Sequence, residues 1–223
     1  MDAVILAAGK GIRLLPYTKK YPKSLFKIKN KPIIEYIIKM LSEQKIKDVY
    51  IIVNYKKEKI IEFIENIKNK YHINPKFIYQ KKLGGTAHAL TYLPKNISNP
   101  FIVLLGDIIY GNFPKISSLK PTIFYKRSRD IFQKGIIETD KNKVNTIYYN
   151  KDVKEGEKLI DIGFYIFPRT VIDYCKFYNY TNQEVPITII INNMIKNKEL
   201  FMAQEFKGKL MHITSLKDSD INI

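Results

Sequence analysis

The chain of 223 residues is long enough for one substantial α/β domain, and its 45% hydrophobic content places it among globular proteins. No apolar run approaches the roughly 20 residues that span a bilayer, and Met1-Asp2 followed by the short apolar stretch Ala3 to Ala8 lacks the basic leader of a signal peptide. All but four of the 38 basic residues are lysine, dispersed along the chain, so the net charge of +17 reads as a solvated surface and not as a nucleic-acid-binding face. The single cysteine, Cys175, allows no internal disulfide and reads as a buried, inert thiol. A cytoplasmic protein that engages neither nucleic acid nor membrane is expected.

In chain order, Ala3 to Ala7 is an apolar run ending in glycines, the pattern of a buried strand. Pro32 to Gln44 places Ile33, Ile34, Ile37, Ile38 and Leu41 on one helical face, with Pro32 suited to a first turn. Val49 to Val53 predicts a second strand, Lys56 to Lys68 an amphipathic helix and Phe77 to Tyr79 a third strand. Gly85 to Leu93 reads as helical, and Phe101 to Leu105 as a fourth strand closed by Gly106-Asp107. Strands alternating with helices imply parallel pairing and a doubly wound sheet. Beyond residue 110 the character changes. Thr122 to Tyr125, Gly135 to Glu138, Val144 to Tyr149 and Ile160 to Phe167 predict short strands, the pattern of an antiparallel insertion. Helices over Thr170 to Tyr178 and Pro186 to Lys196, then strands over Leu200 to Phe206 and Leu210 to Ile213, complete the chain. No linker or internal repeat is visible, so 1–223 reads as one domain with a first half, 1–110, and a second, 111–223.

The segment Gly9-Lys10-Gly11-Ile12-Arg13 follows the first strand, where a glycine-rich turn lets backbone N–H groups approach phosphates. It is neither the dinucleotide fingerprint, since Leu14 stands at the third glycine position, nor a Walker loop. By itself a G-x-G turn is a weak signal. The longer string decides more: Leu6-Ala7-Ala8-Gly9-Lys10-Gly11-Ile12-Arg13-Leu14, then Pro16 and Thr18, then Pro22-Lys23-Ser24-Leu25, then Lys31-Pro32. It resembles the signature of the sugar-nucleotidyltransferase family. The resemblance covers nearly the whole chain, most strongly its first 110 residues. It implies a Rossmann-like, three-layer αβα domain that takes a nucleoside triphosphate and a sugar 1-phosphate. In that family the glycine loop wraps the triphosphate. Leu6, Ala7, Ala8, Gly9, Gly11, Arg13 and Lys23 are then nucleotide-binding residues, with Arg13 and Lys23 also catalytic through charge stabilisation.

Two further segments extend the resemblance. Gln80, Gly85, Thr86 and His88 match the Q-x-x-x-x-G-T-x-H run of uridylyltransferases, which implies that Gln80, Gly85 and Thr86 read the base; an amide that donates and accepts suits a pyrimidine edge. His88 is read as structural. Leu104-Leu105-Gly106-Asp107 is similar to the family's L-x-G-D at a strand end, which implies that Asp107 ligates a catalytic Mg²⁺.

The acceptor half matches less closely. The resemblance assigns Gly135, Lys151 and Asp161 to acceptor binding, with Asp161 standing where relatives carry Asn. The carboxylate often found just before the lysine is absent, since Tyr149 and Asn150 precede Lys151, and this allows a different acceptor. Near the end, the second metal ligand falls on His212, where relatives carry Asp or Asn; imidazole is a poor partner for Mg²⁺. Thr214 or water can substitute, or the metal leans on Asp107 alone. UTP or dTTP is the favoured nucleotide. The alternatives are a cytidylyltransferase acting on phosphocholine or a similar small phosphate, and a nucleotide-binding regulatory subunit without catalysis. No hexapeptide repeats occur, so acetyl transfer is not expected, and a homo-oligomer is compatible with the chain.

Overall fold

The computed structural model describes residues 1–116, 119–131, 134–149, 156–180 and 183–213. In chain order these form β1 (Ala3–Ala7), three short 3₁₀ turns (Ile12–Leu14, Tyr17–Lys19, Lys23–Leu25), β2 (Lys27–Ile28), β3 (Lys31–Pro32), α1 (Ile33–Glu43), β4 (Asp48–Val53), α2 (Lys57–Tyr71), β5 (Asn74–Tyr79) and α3 (Gly85–Leu90). There follow β6 (Phe101–Leu105), β7 (Ile108–Gly111), β8 (Thr122–Ser128), β9 (Ile136–Asp140), β10 (Lys143–Tyr148), β11 (Lys158–Phe167), α4 (Val171–Phe177), α5 (Ile187–Lys196), β12 (Met202–Glu205) and β13 (Lys209–His212). The chain is α/β, and it divides into two compact units interleaved in sequence. The first takes residues 1–83, 104–116 and the chain from 208; the second takes 84–103 and 117–207. Among the described residues no helix is long and apolar enough to cross a membrane.

In the first unit β1, β4 and β5 are parallel, with Ala7 level with Val53 and Val53 level with Tyr79. The apolar strings of β1 and β4 are buried almost throughout, as strands covered on both faces must be. Helix α1 buries the predicted face, Ile33, Ile34, Ile37, Ile38 and Leu41, each side chain contributing roughly 1.5–3 kcal/mol of burial. Helix α2 runs three residues further than its periodicity suggests. Tyr71 is buried, and His72 then turns left-handed (φ 51°), its N–H reaching Asn69 O while Ile73 N–H reaches Lys68 O. Glu35 of α1 is buried and accepts hydrogen bonds from Lys70 Nζ (2.9 Å) and Tyr71 Oη (2.7 Å) of α2. Burial alone would raise its pKa, but these two hydrogen bonds prevail and lower it. Strands β7 and β13 pair antiparallel, with His212 opposite Ile108.

The second unit is built on five strands that form a closed circuit: β11 pairs with β8, β8 with β12, β12 with β10, β10 with β9, and β9 back with β11. All pairs are antiparallel except β12 on β8, because the chain returns through α4 and α5 before entering β12. Its core is aromatic: Phe124 stacks on Phe164 (4.6 Å between centroids) and Tyr165 on Phe167 (5.0 Å). Register shifts on β11 between Asp161 and Tyr165, where Gly163 has φ 66°. Asn192 of α5 clamps β10, accepting from Ile147 N–H (2.9 Å) and donating to Ile147 O (2.7 Å). Helix α3 ends at Leu90 and not at Leu93, since Thr91 Oγ1 donates to His88 O and the last turn tightens, Leu93 N–H reaching Leu90 O.

Candidate active site

The parallel register of the first unit brings the loops after β1, β4 and β5 to one edge, the carboxyl edge where such sheets take ligands. The loops are stitched together there. Asn54 Nδ2 donates to Gln80 O (2.7 Å), Tyr55 Oη to Thr18 O (2.8 Å) and Thr18 Oγ1 to Gly11 O (3.1 Å). Gln80 is buried at 2% exposure, and its N–H donates to Val53 O. Gly11 has φ 64°, and a Cβ there would meet Lys23 Cβ at 2.8 Å, so the glycine loop lies directly on the lysine turn. Arg13 follows, exposed, on the 3₁₀ turn Ile12–Leu14, which Leu14 anchors in the core, while Leu6 and Ala7 end β1 and Ala8 leads from it to Gly9.

Asp107 sits beside this loop because Gly106 passes against β1. Its N–H donates to Leu6 O (3.0 Å), and a Cβ at Gly106 would fall 2.6 Å from that oxygen. Lys23 Nζ lies 2.6 Å from Asp107 Oδ2, and His212 Nε2 lies 3.4 Å from the same oxygen. Burial would raise the Asp107 pKa, but the His212 hydrogen bond and the Lys23 charge outweigh it, and the carboxyl is held well below the ordinary range. The backbone holds the pair from behind: His212 is opposite Ile108, and Ile213 N–H donates to Asp107 O (3.1 Å). A carboxylate oxygen and an imidazole nitrogen, on side chains about a quarter to a third exposed, are a donor set that fits a divalent cation. No group of three or more His, Cys, Asp or Glu suited to a metal occurs among the described residues.

The first unit therefore gathers Leu6 to Arg13, Lys23, Gln80, Asp107 and His212. Asn54 and Tyr55, which the motifs do not point to, join them; their signal is a polar residue directly after the buried β4, whose Val53 is level with Ala7 of β1. Gly85, Thr86, Gly135 and Asp161 belong to the second unit. Gly85 backs onto Val185, with Val185 N–H donating to Gly84 O and Val185 O accepting from Ala87 N–H. Thr86 Oγ1 accepts from Ile187 N–H (2.8 Å) at the start of α5. His88 packs its ring against Tyr92 and Tyr180.

Asp161 closes its own bulge, Oδ1 accepting from Gly163 N–H (2.9 Å) and Oδ2 from Tyr165 Oη (2.6 Å); its N–H donates to Gly135 O. Burial pushes its carboxyl up to about 6 against both hydrogen bonds. Lys151 and Thr214 lie outside the described residues. A cleft of about 570 Å³ beside α4 and α5, lined by Tyr174, Phe177, Asn193 and Lys196 among others, holds none of these groups.

A family model described as nucleotidyl transferase matches residues 2–213. The bifunctional protein GlmU of Methanococcus maripaludis is 33% identical over 214 residues, which cover 93% of this chain and 50% of that protein, so the chain spans about half the length of that curated relative. The UTP–glucose-1-phosphate uridylyltransferase AglF of Haloferax volcanii is 27% identical over 237 residues, covering 99% of this chain and 94% of that one. A solved structure described as a glucose-1-phosphate thymidylyltransferase from Bacillus anthracis, in complex with sucrose, matches with a TM-score of 0.83 at 23% identity, covering 100% of this chain and 97% of that one.

Proposed function

Because the chain belongs to the nucleotidyl transferase family, we propose that it transfers a nucleoside monophosphate from UTP or dTTP to a sugar 1-phosphate in the cytoplasm, giving a nucleotide sugar and pyrophosphate. The observation that carries this reading is the ion pair of Lys23 and Asp107 against the glycine loop at Gly11. A cation and an anion held against a glycine loop suit phosphoryl chemistry, in which positioning and charge stabilisation do nearly all the work. UTP is favoured by the likeness to the Haloferax uridylyltransferase, which matches over nearly its whole length.

In this reaction an acceptor phosphate oxygen attacks the α-phosphorus in line. The new O–P bond forms as the bond to the β-phosphate oxygen breaks, and pyrophosphate leaves with the electron pair. An ionised phosphate needs no general base. Arg13 and Lys23 neutralise charge on the leaving pyrophosphate, and Gly9 and Gly11 offer backbone N–H groups to the triphosphate. Asp107, with His212 beside it, would hold the divalent cation, Mg²⁺ in this reading, which when bound supplies Lewis-acid polarisation and charge neutralisation. Gln80 of the first unit, and Gly85 and Thr86 of the second, are assigned to the base. Gly135, Asp161 and Lys151 are assigned to the acceptor.

The test is pyrophosphate release with Mg²⁺ from each NTP, paired with a panel of sugar 1-phosphates and with phosphocholine. Turnover with UTP or dTTP and a sugar 1-phosphate, lost in Asp107→Ala, is the expected result. Turnover confined to CTP and phosphocholine would overturn the substrate assignment, and no release from any pair would overturn the activity.

A further inference from the structure

The oxygen that His212 approaches is also the oxygen that Lys23 approaches, so Asp107 Oδ2 stands between an ammonium and an imidazole. The imidazole is the less usual of the two. A site for Mg²⁺ alone is best served by oxygen on every side, because Mg²⁺ is hard and holds its waters tightly. Here one of the two protein donors is nitrogen.

We propose that Asp107 and His212 act as a mixed oxygen–nitrogen pair that binds Mn²⁺ or Co²⁺ more tightly than Mg²⁺. This rests on the reading of Asp107 as the cation-holding residue. Four observations carry it. First, donors in neighbouring positions around an octahedral cation lie roughly 3 Å apart, from metal–donor lengths of about 2.1 Å, and His212 Nε2 already lies 3.4 Å from Asp107 Oδ2. Second, the pair is held by backbone, not by side-chain chance: the β7–β13 ladder sets His212 opposite Ile108, and Ile213 N–H holds Asp107 O. Third, both side chains are partly open, His212 at 31% and Asp107 at 26%, so water and phosphate oxygens can complete the shell. Fourth, among the described residues no third His, Cys, Asp or Glu joins them. A site with two protein donors suits a six-coordinate ion better than a tetrahedral Zn²⁺ site, which draws on three or four.

Affinity for nitrogen rises from Mn²⁺ to Co²⁺, and Mg²⁺ falls outside that series as an oxygen-seeking ion. Lys23 must give way to any cation that takes Oδ2. That cost is nearly the same for each divalent ion, so it cancels from the preference, which is a difference of affinities. Mg²⁺ still occupies the pair when abundant, and the inference concerns the ratio.

The experiment adds Mn²⁺ to the full chain, alone and with UTP, and reads the bound ion by pulsed electron paramagnetic resonance. Mg²⁺ is then titrated in to displace it. The expected result is coupling from a directly bound ¹⁴N in the wild type, lost in both His212→Asn and His212→Asp. The Mg²⁺ concentration that displaces half the Mn²⁺ is expected to fall roughly tenfold in His212→Asp. Circular dichroism verifies that each variant is folded. Bound Mn²⁺ without ¹⁴N coupling, or equal displacement curves for wild type and a folded His212→Asp, overturns the inference, and pyrophosphate release measured alongside leaves the proposed function standing. Retained ¹⁴N coupling with no pyrophosphate release from any substrate pair supports the mixed pair and overturns the function instead.

Discussion

Lys23 Nζ and Asp107 Oδ2 meet at 2.6 Å although 84 residues separate them in the chain. The contact ties the turn after Pro22 to the turn after β6, both within the first unit. A double-mutant cycle measures it. Lys23→Met and Asp107→Asn are each expected to destabilise the protein in urea, because each leaves a half-buried partner uncompensated. The double variant is expected to lose less than the sum, with a coupling of about 1–3 kcal/mol. Additive losses would show that the pair contributes nothing beyond its separate contacts. Since the Asp107 carboxyl titrates below its ordinary range, its contribution to stability is complete above the unfolded value and is lost as pH falls through the folded one.

Gly11→Ala is expected to cost about 1–2 kcal/mol from the left-handed backbone alone, and its Cβ would press on Lys23 Cβ at 2.8 Å. The displaced lysine turn should reduce pyrophosphate release far more than it lowers the thermal midpoint. A variant with wild-type turnover would remove Gly11 from the phosphate loop.

Asp161 offers a pH test with a definite sign. Burial lifts its carboxyl to about 6 in the folded chain, from the 3.8 ordinary for an aspartate. The folded state therefore keeps its proton where the unfolded state has lost it, and stability declines as pH rises from about 4 to about 6, by at most about 3 kcal/mol. Asp161→Asn, which retains an acceptor for Gly163 N–H, should flatten that decline. Urea midpoints across this range check it, and an unchanged slope would show that Asp161 does not carry it.

Glu35→Gln is expected to destabilise by about 1–3 kcal/mol, since it weakens the acceptor shared by Lys70 and Tyr71 between α1 and α2. Neither Lys70 nor Tyr71 belongs to the glycine loop or touches Asp107, so kcat should hold while the urea midpoint falls.

The strands and helices were largely legible because their apolar patterns are clean: β1 and β4 are rich in Val, Ile and Leu, and α1 sets Ile33, Ile34, Ile37, Ile38 and Leu41 on one face. The motif residues Gly11, Lys23 and Asp107 were likewise readable, and the structure brings them together. What the sequence hid is the product of distance. Short strands such as β2, β3 and β7 carry too few residues to show a period. Nothing local in Gly85-Thr86 reveals that Val185 and Ile187 will claim them, nor does Asp161 announce that its two oxygens will be taken by Gly163 and Tyr165. The charge of Glu35 hid a buried position, because its partners come from the far end of α2.

The closed circuit of β8 to β12 bears on how the second unit resists misassembly. A strand with an unpaired flank can recruit a foreign chain or slide by a residue against its neighbour. Here β9 bonds on both sides, to β10 and to β11, so a slip at one ladder would have to be matched by the next, all the way round. The bulge at Gly163 is a further lock, since Asp161 grips its backbone and fixes where the extra residues lie. The first unit is guarded by other means: β5 carries Pro75, which has no N–H to offer, and Lys76, a charged side chain drawn back onto β4 by Asp48 at 3.0 Å.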